Sequence, residues 1–307
     1  MGRFKKVKND IIYYFIRAIV AFLNIMPRSP ALFIGSLLGF VAHLLIRKDR
    51  LKAYRHLDFA FGDKLSHSKR KSIVRNLFLN IGRNAVDVIR LRKHYYEISP
   101  LVAIEGREHF EQAYQRGKGV LIITGHLGNF ELLAIHLANS GYSVAAIARE
   151  LYDKRLNILL NENREAMKVA MIDTRQSPRR VVRLLHQGYA IAVLIDTDSM
   201  RIRSMFVPAF GRLSNTPVGQ SVLGLRTGAA FIPMVCVRRG KKYRLIIRPE
   251  IVIERSDNFE KDVYNMPKNC TEVLEEFITE FKDQWIWMHN RWLTRPEKPI
   301  DIKYEPT

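Results

Sequence analysis

One histidine in this chain stands where chemistry is easiest to build. In Val120-Leu-Ile-Ile-Thr-Gly-His126-Leu-Gly-Asn-Phe-Glu131 it follows an apolar run, and a carboxylate comes five residues later. Val120 to Ile123 reads as a buried strand, Gly125 permits a sharp turn, and Leu127 to Leu137 reads as a helix. His126 therefore lies at the mouth of a strand-to-helix turn, where open α/β sheets hold their ligands. Glu131, about one turn into the helix, is placed to reach back toward the imidazole. A carboxylate on one ring nitrogen fixes the tautomer and leaves the other nitrogen to accept a proton. His126 and Glu131 are thus the candidate catalytic pair, a general base for activating a hydroxyl. Gly125 and Gly128 remove bulk around the imidazole, and Asn129 adds a polar group beside it.

Five further residues are candidates for substrate binding: Asn129, Arg149, Arg164, Asp196 and Arg212. Arg149 ends the run Val144 to Ala148, on the same sheet edge as His126. Arg164 follows within a helix. A guanidinium fork suits phosphate or carboxylate capture. Asp196 ends the run Ala190 to Ile195 and is read as orienting a positive group in the cleft, against a simple turn role. With Asp198 it has no further acidic or histidine ligand nearby in sequence, so no metal site is assigned. Phe206 to Phe210 with Gly211-Arg212 reads as a loop passing the site, its apolar part lining an acyl chain and Arg212 meeting phosphate. Trp285, Trp287 and Trp292 read as core or interface residues rather than catalytic ones.

Other chemistries lack their residues. There is no Gly-x-Ser-x-Gly elbow, no His-Glu-x-x-His helix and no phosphate-binding Gly-x-x-x-x-Gly-Lys-Ser/Thr loop. Without a Ser or Cys beside His126, direct acyl transfer fits better than an acyl-enzyme. A histidine base of this kind needs no metal or redox cofactor.

The elements that must position these residues follow a rhythm. Gly117 precedes Val120 to Ile123, Gly141 precedes Val144 to Ala148, Gly188 precedes Ala190 to Ile195, and Gly228 precedes Ala229 to Val237. Glycine past a helix end supplies the left-handed residue that stops it. Helix and strand alternate, which predicts an α/β fold with a mixed sheet covered by helices. Tyr243 to Ile247 and Ile251 to Glu254 read as antiparallel additions, and a last helix is expected over roughly Cys270 to Trp292. Residues 51–100 read as helical, with apolar spacing in Ile73, Leu77, Ile81 and Val88. No Gly-, Ser- or Pro-rich linker interrupts the chain. Two parts are expected: a basic, apolar membrane-associated segment over 1–50 and a single α/β domain over 51–307.

Charge is the compositional outlier, a formal net of +20 with 50 Lys and Arg against 30 Asp and Glu. Such a balance calls for polyanionic partners. Nucleic acid is disfavoured, because no C2H2 spacing, basic Gly-x-x-Gly loop or aromatic RNP-like strand stands out and the basic residues are not confined to one helix. An anionic membrane surface and an acidic carrier protein account for it instead. Residues 1–55 alone carry 11 Lys and Arg and 2 acidic residues, around two apolar stretches, Ile11 to Met26 and Ala31 to Ile46. Neither reaches the roughly 20 apolar residues of a clear span. The pair reads as a membrane-seated hairpin in preference to a marginal single span or two core helices. Lys5, Lys6, Lys8, Arg47, Lys48 and Arg50 flank it, which favours anionic headgroups and keeps both ends cytoplasmic. Cys236 and Cys270 lie 34 residues apart, no metal or redox spacing, and Cys236 reads as a buried small residue.

Three ordered blocks resemble a known family. Gly125-His126-Leu-Gly-Asn-Phe-Glu131-Leu is similar to the first block of the bacterial lipid A biosynthesis acyltransferases, the lauroyl/myristoyl transferases of the wider lysophospholipid acyltransferase superfamily with its His-x4-Asp/Glu signature. Phe206-Val-Pro-Ala-Phe-Gly-Arg212-Leu-Ser-Asn-Thr-Pro217, with Leu225-Arg-Thr-Gly-Ala-Ala-Phe-Ile-Pro233, is similar to the third and fourth blocks. Gln284-Trp-Ile-Trp-Met-His-Asn-Arg-Trp292 is similar to the C-terminal signature. The Glu-Gly-Thr-Arg block of the glycerol-phosphate branch is missing, which favours the lipid A branch. Asp196-Thr197 stands where the family often has Asp-Gln. The resemblance implies a glycerolipid-acyltransferase-like fold at the cytoplasmic face of a bacterial inner membrane. It implies an acyl-carrier-protein thioester as donor, with acyl-CoA as the alternative carrier, and a hydroxyacyl chain on a phosphorylated lipid A precursor as acceptor. For Arg149 and Arg164 it implies acceptor or donor contacts. The competing functions are acylation of another glycolipid or phospholipid, and a non-catalytic membrane lipid-binding module.

Overall fold

The fold is known from a computed structural model, which describes residues 3–148, 154–173, 178–200, 202–253 and 255–296. Helices α1 (Arg3–Ile25) and α2 (Arg28–Leu45) come first, then α3 (Arg47–Phe61) and the long α4 (His67–Ile98). The alternating part runs β1 (Val102–Glu105), α5 (Arg107–Gln115), β2 (Val120–Thr124), α6 (Phe130–Asn139), β3 (Val144–Ala148), α7 (Lys154–Ala166), β4 (Val169–Asp173), α8 (Pro178–His186) and β5 (Ala190–Leu194). A hairpin, β6 (Ser204–Ala209) and β7 (Arg212–Pro217), precedes α9 (Gly219–Thr227), β8 (Ala230–Arg239), β9 (Lys242–Ile247) and α10 (Phe259–Glu280).

The main sheet has the order β1-β9-β8-β2-β5-β3-β4, parallel throughout except for the antiparallel β8–β9 pair. Every residue of β2 is buried, as a central strand covered on both faces must be. One face packs against the start of α4, α8 and α10, through Leu77, Val181, Leu185, Leu274 and Phe277. The other packs against the end of α4, α5 and α6, through Leu91, Phe110, Leu132 and Leu133. The expected α/β class with a mixed, helix-covered sheet holds. Gly228, which ends α9 at φ +74°, illustrates the glycine stops. Both cysteines are free and fully buried, and burial pushes their thiols up.

Four expectations about elements need correction. The stretch 206–212 is a β-hairpin rather than a loop, because Phe210 and Gly211, at φ +50° and +68°, make the tight turn between paired strands. Ile251 to Ile253 form no strand. The last helix ends at Glu280, so Gln284 to Trp292 is irregular chain. Two strands, β1 and β4, were not anticipated. Their four and five residues pair at the sheet edges, where short runs carry little pattern.

Helix α2 is 18 residues long with a mean hydropathy of 1.4, enough in length and composition to cross a membrane. It begins at Arg28 and so takes in more chain than the apolar stretch alone suggests. Its buried side is a stripe of Ala31, Leu32, Gly35 and Gly39 laid on α4. Small residues there let the backbones approach closely. A Cβ on Gly82 of α4 would lie 2.0 Å from the Gly35 carbonyl oxygen, and one on Gly39 would lie 2.3 Å from that of Phe78. Gly82→Ala is therefore expected to force α2 and α4 apart and destabilise the protein by about 1–3 kcal/mol. Gly219→Ala, where a Cβ meets nothing within 4 Å, is the control and should be near neutral. Thermal unfolding of the two variants checks this. Equal midpoints would show that the α2–α4 contact contributes nothing.

Candidate active site

Sheet register brings two candidate groups together. In the parallel β2–β5 pair Thr124 faces Leu194, and the Ile195 amide still donates to the Thr124 carbonyl. Two residues beyond each strand end stand His126 and Asp196, side by side over the carboxyl edge of the sheet. The Asp196 carboxylate accepts from both the ring and the backbone of His126. Its Oδ1 lies 2.8 Å from Nδ1, and its Oδ2 lies 2.7 Å from the amide nitrogen. Trp285 Nε1 donates to the same Oδ2 at 2.8 Å. Asp196 is buried, and His126 keeps 18% of its side chain exposed, so the imidazole opens outward and its partner does not. Gly125 makes room for this: a Cβ there would lie 2.9 Å from Asp196 Oδ2.

The electrostatics follow from that contact. Burial by itself lowers the pKa of His126, but the charge and hydrogen bond of Asp196, with a contribution from Glu131, outweigh it and raise the value above the usual 6.5. Burial opposes ionisation of Asp196, yet the neighbouring imidazole and the Trp285 N–H hold the carboxyl well below its ordinary range. A second imidazole, His289, lies with its ring centroid 4.2 Å from that of His126. Burial, and then the proximity of His126 against the pull of Asp196, lowers its pKa to about 4, so it stays neutral near pH 7.

Glu131 is not the orienting partner expected from its spacing. Its carboxylate takes the guanidinium fork of Arg164 on α7, with Nε 2.9 Å from Oε2 and Nη2 on Oε1. The physical reason is competition: a cation with two parallel donors outbids an imidazole already committed to Asp196. Glu131 acts on His126 through its field. Arg164 is correspondingly occupied by protein, not left open for a substrate anion.

The other expected contacts sort similarly. Asn129 is buried and caps α6, its Oδ1 accepting from the Leu132 amide at 3.0 Å and its Nδ2 donating to the Tyr243 hydroxyl at 3.1 Å. It therefore holds the turn instead of touching substrate. Asp196, expected to orient a positive group, orients the histidine itself. Arg212 places its guanidinium 4.2 Å from the centre of the Phe59 ring. Arg149 lies outside the described residues. The amides of the turn are engaged inside the protein. His126 donates to Asp196, Leu127 to the Gly125 carbonyl, Gly128 to that of Gln284 and Asn129 to that of Cys236.

Trp285 and His289 are the site residues that sequence reasoning passed over. They come from the irregular segment after α10, which the Ile286 amide ties to the His126 carbonyl at 3.1 Å. The signal lay in Gln284 to Trp292, where three tryptophans stand close to Gln284, His289, Asn290 and Arg291. Donor atoms of His126, Asp196 and His289 lie within 4.8 Å of one another, a spacing that a metal ion could bridge. In this arrangement Asp196 is instead engaged by three N–H groups.

Glu131→Gln tests the revised role. It removes a charge that favours the imidazolium and leaves the Arg164 guanidinium without its carboxylate. Turnover is expected to fall about 10- to 100-fold, with the acidic limb of the pH–rate profile moved down. The double variant with Arg164→Gln should regain part of it. A double variant no better than the single one would assign Glu131 a direct part in the chemistry.

The comparisons with known proteins fit this geometry. A family model described as bacterial lipid A biosynthesis acyltransferase matches residues 3–294. The chain is 25% identical over 283 residues to the lipid A biosynthesis palmitoleoyltransferase of Escherichia coli, covering 88% of this chain and 87% of that protein. It is also 25% identical to the lipid A biosynthesis lauroyltransferase of the same organism, over 91% and 90% of the two chains. A phosphatidylinositol mannoside acyltransferase of Mycolicibacterium smegmatis matches at 21% identity over 61% of this chain and 60% of its own. A match running from the first helix to the segment beyond Trp292 settles the family: this chain belongs to the bacterial lipid A biosynthesis acyltransferases and is an O-acyltransferase of that type.

Proposed function

We propose that the protein moves a fatty acyl chain from an acyl-carrier-protein thioester to a hydroxyl of a phosphorylated lipid A precursor at a membrane surface, with His126 as general base. The observation that carries this reading is the 2.8 Å contact between His126 Nδ1 and a buried carboxylate, which leaves Nε2 to take a proton. Nε2 removes the proton of the acceptor hydroxyl as its oxygen attacks the thioester carbonyl. A carbon–oxygen bond forms, the carbon–sulfur bond breaks, and the imidazolium returns its proton to the departing thiolate. Asp196 stabilises the imidazolium between these steps, and Glu131 adds its field. A net charge of +20 favours both an acidic carrier and a phosphorylated acceptor.

Mass spectrometry of total lipid from cells with and without the protein tests the reaction. The expected result is lipid A lacking one acyl chain when the protein is absent, the mass difference giving the chain length. Unchanged lipid A with an altered glycolipid would overturn the lipid A acceptor. It would favour the mannoside type of acceptor named for the mycobacterial relative.

Seating on the membrane is supported by an exposed apolar surface. Tyr14, Phe15, Phe22 and Ile25 of α1 and Phe33, Leu37, Leu44 and Leu45 of α2 are all more than half exposed. Exposed Arg47 and Lys48 follow directly. The apolar area drives insertion and the basic groups meet anionic headgroups. Flotation with vesicles containing anionic lipid is expected to weaken as salt rises, since exposed charges are screened within about 8 Å at physiological ionic strength. Retention that ignores salt would favour a spanning α2, and absence of flotation would remove the membrane from the reading.

A further inference from the structure

A buried polar network joins the first residue of α2 to the catalytic turn. At its centre is Asp87 of α4, fully buried. Arg28 grips it with both prongs, Nε to Oδ1 at 2.8 Å and Nη2 to Oδ2 at 2.9 Å. Arg238 of β8 donates through Nη2 to Asp87 Oδ2 at 2.6 Å, and the Tyr243 hydroxyl of β9 donates to the same oxygen at 2.7 Å. From there the network reaches the turn twice. Asn129 donates to the Tyr243 hydroxyl, and Asn84, which accepts from Arg238 Nε at 2.8 Å, donates to the Gly128 carbonyl at 2.9 Å. Arg238 also exchanges backbone hydrogen bonds with the Gln284 side chain, beside Trp285, at 2.8 and 2.9 Å.

Burying one carboxylate and two guanidiniums is costly, and such a cluster is stable only when its members are paired. An apolar contact would hold α2 to α4 equally well, so stability does not account for the expense. Its reach does. Gly128 and Asn129 lie between His126 and Glu131, and Gln284 precedes the tryptophan that holds Asp196. We propose that Arg28, Asp87, Arg238 and Tyr243 are positioning residues for acyl transfer: they fix the turn that carries His126 to the start of α2, so that the seat of α2 sets the catalytic geometry. This rests on the reading of His126 as the base.

Tyr243→Phe removes a single oxygen from the middle of the network, and Arg28→Gln removes its outer end, where the side chain is already 10% exposed. Full-length enzyme in anionic vesicles is assayed for kcat and for KM of donor and acceptor. Each single variant is expected to lose about tenfold in kcat, with both KM values within twofold, since a 1 Å displacement of the turn can cost up to about 100-fold in rate and one lost contact shifts it by less. The double variant should lose little more than either single one, because residues in one network do not act additively. Arg28→Lys should restore part of the loss. The proposal is overturned if kcat per folded enzyme stays within twofold of wild type. It is equally overturned if the two losses multiply. Should Tyr243→Phe fail to fold, the Arg28 pair of variants decides alone. His126→Ala, run alongside, reads the base assignment separately: full activity there removes the base while the network result stands on its own.

Discussion

Replacing His126 by alanine is expected to lower turnover by about 10²–10⁴-fold while leaving the fold and membrane flotation intact. The imidazole is the group with a free nitrogen at the cleft and a carboxylate behind it. It also opens on the cleft at the sheet edge, with 18% of its side chain exposed. What remains is the contribution of binding two substrates side by side, which the variant keeps. KM values should therefore change less than kcat. Purified variant in vesicles, assayed with saturating donor, gives the answer. Near-normal turnover would mean that the acceptor hydroxyl loses its proton elsewhere, and the mechanism would be wrong.

Asp196→Asn is expected to be comparably damaging, about 10³–10⁴-fold in kcat, for a reason specific to the hydrogen bonds. Oδ2 of Asp196 accepts from the His126 amide and from Trp285, so the amide oxygen of an asparagine must take that place. Its NH2 group then faces His126 Nδ1 and donates to it. The imidazole is driven to carry its proton on Nε2, the nitrogen that should receive one. The pH dependence gives a second readout. The base works only when neutral, so activity falls as pH drops through the His126 pKa, which Asp196 holds above 6.5. In Asp196→Asn the depressing effect of burial is unopposed except by Glu131, and the acidic limb should move to lower pH. A variant with the wild-type limb would refute the pairing. Asp196→Glu, which keeps the charge and lengthens the arm, should recover part of the rate without restoring full geometry.

These two results together separate Asp196 from Glu131. Both carboxylates favour the imidazolium, but only Asp196 touches it. The loss in Asp196→Asn should exceed that in Glu131→Gln, and no second substitution at Arg164 should relieve it.

The sequence by itself determined the parts of this protein that local chain chemistry encodes. Val120 to Thr124 is apolar at every position but its last and glycines stand at the turn, so strand, sharp corner and helix follow one another whatever surrounds them. That placed His126 at a sheet edge and showed it to be the residue to watch. The glycine rhythm likewise yielded the α/β class, and the apolar stretches near the N-terminus marked α1 and α2. Tertiary structure alone decided which carboxylate serves the histidine. Glu131 is five residues away and Asp196 is seventy, yet the register of two parallel strands puts the distant one in contact and α7 claims the near one. Spacing along a helix says which groups can meet, while strand pairing and competing cations say which do. The same reason hid Trp285 and His289. They reach the site from chain without regular structure, held by hydrogen bonds to the turn and to Asp196 that no periodicity records. Asn129 shows the converse: three residues from His126 in sequence, it faces inward, where its side chain caps the first turn of α6 and donates to the Tyr243 hydroxyl.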